Sequence, residues 1–285
     1  MYNIKSLDEK AIKAFSPAEK IGLVATVNPE GMPHITLITS IRAAGPKQIT
    51  LGEFCRGNSK VYLKENPKTA FLVMTMDRKM WRGHARWTHS RTEGPEYQSY
   101  NDLPMFRYNA YFGINTVHYL DMVDARGAEG LPLPKIIGGA LLTRLARSGA
   151  ATKNTARILN PFSEALFNRL DALKFIAYIK PDGYPEIVPL FPCQAADSRR
   201  LVFSPLAYEK ELNRITPGQK VAVFGLTMQM EDVLVRGTFA GYNRLRMVRA
   251  GIVDIDWVYN SMPPAHGQIY PPVPLRPVTQ WGDFG

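Results

Sequence analysis

An internal repeat is the feature that most limits how this chain can fold. Residues 23–35 consist of an apolar run, a Pro-acid-Gly turn and a second apolar run, and residues 175–187 repeat this pattern. A turn of this composition between two runs rich in β-branched residues is typical of a β-hairpin. The chain is therefore predicted to contain the same hairpin twice.

Further segments repeat in the same order. Residues 67–73 match 217–223, residues 81–85 match 235–239 around a shared Arg-Gly pair, and residues 116–123 match 252–259. A helix start precedes each copy, because Ser16-Pro17-Ala18-Glu19 has the pattern of a capping box and Asn160 precedes Pro161. These ordered matches indicate a tandem duplication of one structural unit.

Each copy is predicted to be a short helix followed by several short antiparallel strands, which is typical of a small β-barrel. The predicted fold class is mainly β with peripheral helices, and the two barrels are expected to face each other as a pseudo-dimer within one chain. The predicted units are residues 1–130, a basic helical connector at 131–161 with a helix over 133–147, and residues 162–285. The Pro-rich tail, residues 263–277, is expected to lack regular structure.

Composition limits the class of protein. The 285 residues contain no apolar stretch long enough to span a bilayer, and the first ten residues do not have the pattern of a secretory signal. Two cysteines, Cys55 and Cys193, are too few for a disulfide framework, and the histidines lack metal-ligand spacing. We therefore expect a cytoplasmic protein without a metal centre.

The positive charge is concentrated in one segment. The formal net charge is +10, and residues 130–163 contain five Lys and Arg residues but no Asp or Glu. Such a segment is either a surface for nucleic acid or membrane, or a solvated basic linker. The linker is the favoured interpretation, because no aromatic residues are interleaved with these cations, so no specific nucleic-acid partner is expected.

Residues 52–67 carry the clearest binding signal. A predicted strand ends near Gly52, and a short helix is predicted to start near Ser59 and to stop before Pro67. Arg56 and Lys60 flank the start of that helix and Ser59 can cap it, which suits a phosphate group. The alternative is a capped surface helix with two solvated cations. A nucleotide-hydrolysing P-loop is not expected, because the lysine stands two positions too late.

Taken together, these segments resemble the FMN-binding split β-barrel superfamily, which includes pyridoxamine 5′-phosphate oxidase and flavin reductase-like proteins. The resemblance covers residues 12–129 well and 162–264 more weakly. It implies two split barrels with FMN at a barrel edge. It also implies three sets of cofactor-binding residues: Arg56, Ser59 and Lys60 for the phosphate, Ile38, Thr39 and Ser40 on a strand that lines the isoalloxazine ring, and Gly52 and Glu53 on the opposing strand.

The second copy departs from this pattern. Lys210 is kept, but Glu209 stands beside it and would repel a phosphate, and Pro192 removes a backbone N–H. The second barrel is therefore predicted to supply a wall for the first site and to hold no flavin itself. The substrate-binding Arg and His of the oxidase members have no obvious match, so oxidation of pyridoxamine phosphate is not expected.

The resemblance implies an FMN-dependent oxidoreductase that acts on a small-molecule acceptor, with NAD(P)H as a candidate reductant. Two alternatives stay open at this point. One is an FMN-binding electron-transfer or sensing protein without its own substrate. The other is a haem-binding relative with His118 or His266 as the axial ligand. The sequence assigns no catalytic residue and leaves a further homodimer open.

Overall fold

The computed structural model describes residues 4–53, 57–103, 113–152, 154, 156–260 and 267–272. Six helices lie within these ranges: α1 Glu9–Phe15, α2 Asn58–Glu65, α3 Pro95–Asn101, α4 Leu133–Ala150, α5 Pro161–Asn168 and α6 Glu209–Leu212. Asp8 caps α1 by accepting a hydrogen bond from the backbone N–H of Ala11. The helix start predicted at Ser16 is therefore wrong, because Ser16 follows the last residue of α1. Asn160 caps α5 by accepting from the N–H of Ser163, at the helix start that was predicted. These caps satisfy N–H groups that a helix start leaves without an intrahelical partner.

The described strands form two antiparallel sheets. The strands of the first sheet are β1 Lys20–Val27, β2 Pro33–Leu37, β3 Arg42–Gly45, β4 Gln48–Glu53, β5 Lys68–Thr75, β6 Lys79–Arg91 and β7 Thr116–Gly130. Those of the second are β8 Leu173–Ile179, β9 Pro185–Pro189, β10 Gln194–Ala195, β11 Arg200–Phe203, β12 Lys220–Leu226, β13 Asp232–Leu245, β14 Val248–Asn260 and β15 Gly267–Tyr270.

The order of the strands confirms the duplication. The first sheet runs β2-β1-β5-β6-β7-β4-β3, and the second runs β9-β8-β12-β13-β14-β11-β10 when read in the same direction. Each strand of the first sheet thus has its counterpart in the repeat at the same place in the second sheet. The fold is mainly β, with two tandem split antiparallel barrels and helices at their periphery.

Each barrel is closed by a turn that joins its two sheet edges. The N–H of Ile38 donates to the carbonyl of Gly22 at 2.7 Å, and in the second copy the N–H of Leu190 donates to the carbonyl of Lys174 at 2.7 Å. The expectation that Ile38, Thr39 and Ser40 lie on a strand is therefore wrong, since residues 38–41 form the closing turn between β2 and β3. The apolar Ile38 and Ile41 made this segment look like a strand, but their side chains are buried beneath the turn.

The central strands are buried on both faces, which explains their continuous apolar runs. In β1, Val24 packs inside the first barrel with Phe71, whereas Leu23 and Ala25 belong to a core shared with the second copy. That shared core contains, from the second copy, Ile176 and other residues of β8, β9 and β12. The two copies therefore pack face to face as an intrachain pseudo-dimer, as predicted.

Two predictions about peripheral segments need adjustment. The connector helix extends beyond the predicted end at residue 147, because α4 continues to Ala150. The Pro-rich tail is not wholly irregular, since β15 pairs with β14 and adds an eighth strand to the described part of the second sheet. Residues 273–285 lie outside the described residues. No helix among the described residues is long and apolar enough to cross a bilayer.

The shared Arg-Gly pair marks an irregularity in register that both copies retain. A Cβ added at Gly83 would lie 2.1 Å from the carbonyl oxygen of Asp124, and one added at Gly237 would lie 2.1 Å from that of Asp254. A register shift adjoins Gly237 in the β13–β14 pair, and in the β6–β7 pair shifts lie on either side of Gly83, between Met80 and Arg82 and between His84 and Ala85. Only glycine allows this close approach of two backbones.

Replacing either glycine should therefore destabilise the folded protein. We expect Gly83→Ala and Gly237→Ala each to lower the free energy of unfolding by about 1–3 kcal/mol or more, because the new methyl group forces the strands apart. Gly45→Ala is the matched control, since a Cβ there meets nothing within 4 Å. Urea denaturation of the three variants tests this; equal midpoints for Gly237→Ala and Gly45→Ala would contradict it.

Candidate functional site

The start of α2 combines buried polar groups with a helix terminus. The helix begins at Asn58 after the extended residue Gly57, and no side chain caps it. Ser59 therefore lies inside the first turn, and the prediction that it caps the helix is wrong. Ser59 and Lys60 are nevertheless buried, with exposed fractions of 1% and 8%. Arg56 lies outside the described residues.

Three hydroxyl groups on α2 and the strands it packs against lack a hydrogen-bond partner among the described residues: Ser59 Oγ on α2, Thr36 Oγ1 on β2 and Thr26 Oγ1 on β1. The helix α2 packs against β1 and β2. A buried hydroxyl without a partner costs free energy, and a helix start attracts negative charge. The region is therefore suited to an anionic ligand with several acceptor oxygens.

Glu53 at the end of β4 takes part in a buried relay. Its Oε2 lies 2.5 Å from His118 Nε2, and Trp87 Nε1 donates to His118 Nδ1 at 3.2 Å. Because the indole can only donate, His118 Nδ1 must accept. His118 Nε2 therefore carries the proton and donates a hydrogen bond to Glu53. Both ring nitrogens of His118 are thus engaged, so His118 has no free nitrogen for the haem-ligand alternative. His266, the other candidate for that role, lies outside the described residues.

The charge of Glu53 is favoured by its surroundings. Burial alone would raise the pKa of this carboxyl group, but the hydrogen bond from His118 and the charges of Lys60 and Lys64 hold it below its ordinary value. Glu53 and Lys60 are therefore close enough for the charge of Lys60 to act on the Glu53 carboxylate.

The remaining predicted residues separate into two groups. Ser40 lies next to Gly52, because Ser40 Oγ donates to the Gly52 carbonyl at 2.7 Å, and Tyr100 donates to the Ser40 carbonyl at 2.6 Å. Ile38 instead packs into the first barrel, and Thr39 is exposed in the closing turn. The structure thus brings Ser40 to β4 but places Ile38 among apolar neighbours.

Beside α2, the second copy contributes a cluster that the sequence did not predict. We call it the aromatic cluster, and its members are His34, Tyr62, Arg236, Trp257 and Tyr259. Trp257 and Tyr259 are stacked with ring centroids 5.6 Å apart, and the Arg236 guanidinium carbon lies 4.3 Å from the Trp257 ring centroid. His34 lies edge-on to Tyr62 at 5.4 Å.

Arg236 is a buried cation held by neutral groups. Its Nε donates to the Pro33 carbonyl at 3.1 Å, and its Nη2 donates to His34 Nδ1 at 2.9 Å. Burial and the charge of Arg236 lower the pKa of His34 to about 3, so this imidazole stays neutral. Burial also lowers the pKa of Arg236, and a hydrogen bond with Tyr62 and the charges of Glu30 and Asp256 oppose this only in part. Among the described residues, no carboxylate lies within ion-pair distance of Arg236.

The counterpart beside α6 has the opposite character. We call it the ionic cluster, and its members are Arg82, His84, Asp124, Arg126, Glu129, Glu186 and Glu211. Arg82 Nη2 lies 2.7 Å from Glu129 and 3.3 Å from Glu211, and Arg126 binds Glu186 at 2.9 Å. Here the buried arginine is neutralised by carboxylates from both copies.

The two clusters occupy equivalent places in the repeat. Arg82 pairs across the β6–β7 ladder with Arg126, and Arg236 pairs across the β13–β14 ladder with Trp257. Arg82 also donates to the Ile187 carbonyl on β9, as Arg236 does to Pro33 on β2. The same position therefore holds an ion pair network at one end of the pseudo-dimer and aromatic rings at the other.

The Arg-Gly pair that occurs in both copies of the sequence marks Arg82 and Arg236 as equivalent, but it does not show which groups the two arginines bind. Their partners could not be found from spacing, since Arg236 and His34 are 202 residues apart in sequence.

Comparison with known proteins adds the following. No protein-family model matches the chain, and no curated protein matches it. Similar solved structures include an FMN-binding protein from Syntrophomonas wolfei, with 18% identity over 43% of this chain and 86% of the other and a TM-score of 0.36. HupZ from Group A Streptococcus has 17% identity over 44% of this chain and 96% of the other, with a TM-score of 0.36.

A third similar structure is an F420 reductase, with 16% identity over 42% of this chain and 98% of the other and a TM-score of 0.34. One of these three structures is of a protein named as FMN-binding, and each of the three matches covers less than half of this chain.

The ionic cluster should make stability depend on pH. Burial lowers the pKa of His84, but its contacts with Asp124 at 2.8 Å and Glu186 at 3.2 Å outweigh this and raise it above 6.5. A histidine with a raised pKa in the folded state stabilises the fold at pH values below its pKa in the unfolded chain. This contribution is lost as the pH rises through its pKa in the folded state.

We therefore expect the stability advantage of the wild type over His84→Gln to shrink as the pH rises from about 6 to about 9. Urea denaturation at several pH values measures this difference. His89→Gln is the control, because His89 stacks on Tyr119 at the surface and has no carboxylate contact among the described residues. An advantage that grows with pH would contradict the assignment.

Proposed function

We propose that this protein is an FMN-dependent oxidoreductase with one flavin site, formed by the first copy and walled by the second. The site consists of the start of α2, the end of β4 and the aromatic cluster. The acceptor is a small molecule, and NAD(P)H is the candidate reductant. FMN, when bound, supplies the hydride and electron chemistry, and the protein supplies binding and orientation.

The observation that carries this proposal is the unequal burial of charge in two equivalent places. FMN has a phosphate dianion and a planar aromatic ring. The aromatic cluster offers stacked rings and a buried guanidinium that makes no ion pair among the described residues, whereas the ionic cluster offers Glu129, Glu186 and Glu211 in direct ion pairs. Carboxylates repel a phosphate, and an aromatic wall with a cation attracts this ligand.

Individual residues have distinct proposed roles. Ser59 and Lys60 hold the phosphate at the start of α2, where the helix dipole adds to their effect. Glu53, oriented by His118, fixes the adjacent end of β4 and presents a carboxylate as a hydrogen-bond acceptor. The short helix α6 carries Glu209 and Glu211 at the position equivalent to α2, which argues against a phosphate there.

The electron-transfer alternative shares the same flavin site and differs in turnover. Anaerobic mixing of the FMN-loaded protein with NADH or NADPH distinguishes them, because an oxidoreductase of this type bleaches its flavin absorbance and recovers it with an acceptor. A flavin that NAD(P)H cannot reduce at a useful rate, yet that a chemical reductant reduces, would favour the carrier.

Of the two equivalent lysines, Lys60 and Lys210, only Lys60 of the first copy should contribute to flavin affinity. Removing a charge-assisted contact to phosphate costs about 1.5–3 kcal/mol, or roughly 10- to 150-fold in affinity. We expect Lys60→Ala to weaken FMN binding by this factor and Ser59→Ala to weaken it less. Lys210→Ala, the equivalent lysine of the second copy, should leave it unchanged. Quenching of FMN fluorescence on titration gives the affinities, and equal losses from Lys60→Ala and Lys210→Ala would refute a single site.

The two equivalent arginines should respond in opposite ways. Arg236→Met removes a buried cation beside the proposed site, so we expect FMN affinity to fall by about 10-fold or more. Arg82→Met leaves Glu129 buried without its ion-pair partner and should cost about 3–5 kcal/mol of stability. It should leave FMN affinity of the folded protein unchanged. Paired titrations and denaturation curves test this contrast, which fails if Arg82→Met is the variant that loses FMN.

A further inference from the structure

The outward face of α4 presents large apolar side chains to solvent. Leu133, Ile137, Leu141 and Leu145 recur at every fourth residue and have exposed fractions of 42%, 62%, 61% and 57%. Residues at this spacing share one face of a helix. We call these four residues the apolar ridge.

The described residues leave the apolar ridge largely exposed to solvent. The opposite face of α4 packs onto the second copy through small residues, among them Gly139, Ala146 and Ala150. Thr143 accepts a hydrogen bond from the Ser204 N–H at 2.8 Å and fixes the helix there. Small residues thus face the protein and large ones face outward, the reverse of what a surface helix needs for solubility alone.

A strained hairpin tip lies against the end of the same helix. The β13–β14 hairpin turns at Arg246 and Met247, which have φ of 45° and 68°. Two successive positive φ values are typical of a type I′ turn, which strongly prefers Asn-Gly. Met247 is nevertheless 83% exposed, and the adjoining Leu245 packs beside Gly149. The turn thus keeps an exposed apolar side chain at a cost in backbone strain.

Positive charge surrounds the ridge and the tip. Lys135, Arg144 and Arg147 lie on α4, and Arg244 and Arg246 lie at the tip. Residues 130–163 contain no acid. The acids on neighbouring elements are engaged, because Asp197 accepts from the Thr152 N–H and Asp254 binds Arg200.

This charge pattern decides what can cover the ridge. Two copies of α4 packed against each other would bring Lys135, Arg144 and Arg147 close to cations of the partner helix, which is unfavourable. A nucleic acid would satisfy the cations but not the apolar side chains. A surface that is both apolar and anionic satisfies both. The interface of an anionic lipid bilayer has this combination, and it accepts a ridge and a protruding methionine without needing a groove.

We propose that α4 and the tip of the β13–β14 hairpin form a docking surface for anionic membranes. The apolar ridge and Met247 enter the interface between headgroups and acyl chains, and the five cations bind the anionic headgroups. The helix lies along the membrane and does not cross it. This inference is independent of the proposed flavin site.

Co-sedimentation of the full-length protein with vesicles tests the proposal. One set contains phosphatidylcholine alone and the other a mixture with phosphatidylglycerol. We expect binding to the anionic vesicles that weakens at high salt and is at least about tenfold weaker on neutral ones, because each cation near the surface contributes about fivefold. No binding to anionic vesicles, or equal binding to both, would overturn the proposal.

Three variants assign the binding to this surface. The double variant Ile137→Ser/Leu141→Ser should lose binding by about tenfold or more. Met247→Gly should weaken it while keeping the fold, because glycine accepts the positive φ without strain. Leu170→Ser is the control and should bind like the wild type, since Leu170 is 73% exposed and its neighbour Arg169 binds Glu231 at the far end of β13.

The oligomeric state shows whether a second copy of the chain, instead of lipid, covers the apolar ridge. Light scattering of the wild type and of Ile137→Ser/Leu141→Ser should show the same state for both. A dimer that this double variant dissociates would mean that the ridge binds a second copy, and an unchanged vesicle affinity of the variant would mean that the ridge does not meet lipid. Either result contradicts the proposal.

Discussion

Two equivalent arginines, Arg82 and Arg236, reach across the interface between the two copies, and each donates to a backbone carbonyl in the hairpin of the other copy. Each directly precedes a glycine at which two strands approach closely, Gly83 or Gly237. Since the strands on either side are buried on both faces, these arginines must be satisfied where they lie. How each copy satisfies its arginine determines the chemistry of each end of the pseudo-dimer.

The two solutions differ and explain why duplication can leave one site. At one end, carboxylates from both copies neutralise Arg82, and the resulting network ties α6 to the first sheet. At the other end, a neutral imidazole and a carbonyl hold Arg236 against Trp257. The first arrangement is suited to holding the copies together, because a broken buried ion pair is costly. The second leaves positive charge beside aromatic rings and the start of α2.

The repeat in the sequence predicted the duplication, the hairpins and the face-to-face packing, because each depends on local patterns that occur twice. It failed where local pattern and tertiary role differ. Residues 38–41 are apolar because they close a barrel, and β15 forms in a Pro-rich tail because β14 offers it an edge. The aromatic and ionic clusters join residues far apart in the chain, such as Arg82 and Glu211, and no spacing within one sequence predicts such pairs.

The stoichiometry of FMN binding tests the central claim most directly, which is that two equivalent places in one chain have diverged into a single flavin site. Isothermal titration calorimetry of the full-length protein with FMN measures it without assuming any residue role. We expect one FMN bound per chain. Two FMN per chain would show that the ionic cluster does not exclude the cofactor, and no detectable binding would show that the aromatic cluster and the start of α2 do not form a flavin site.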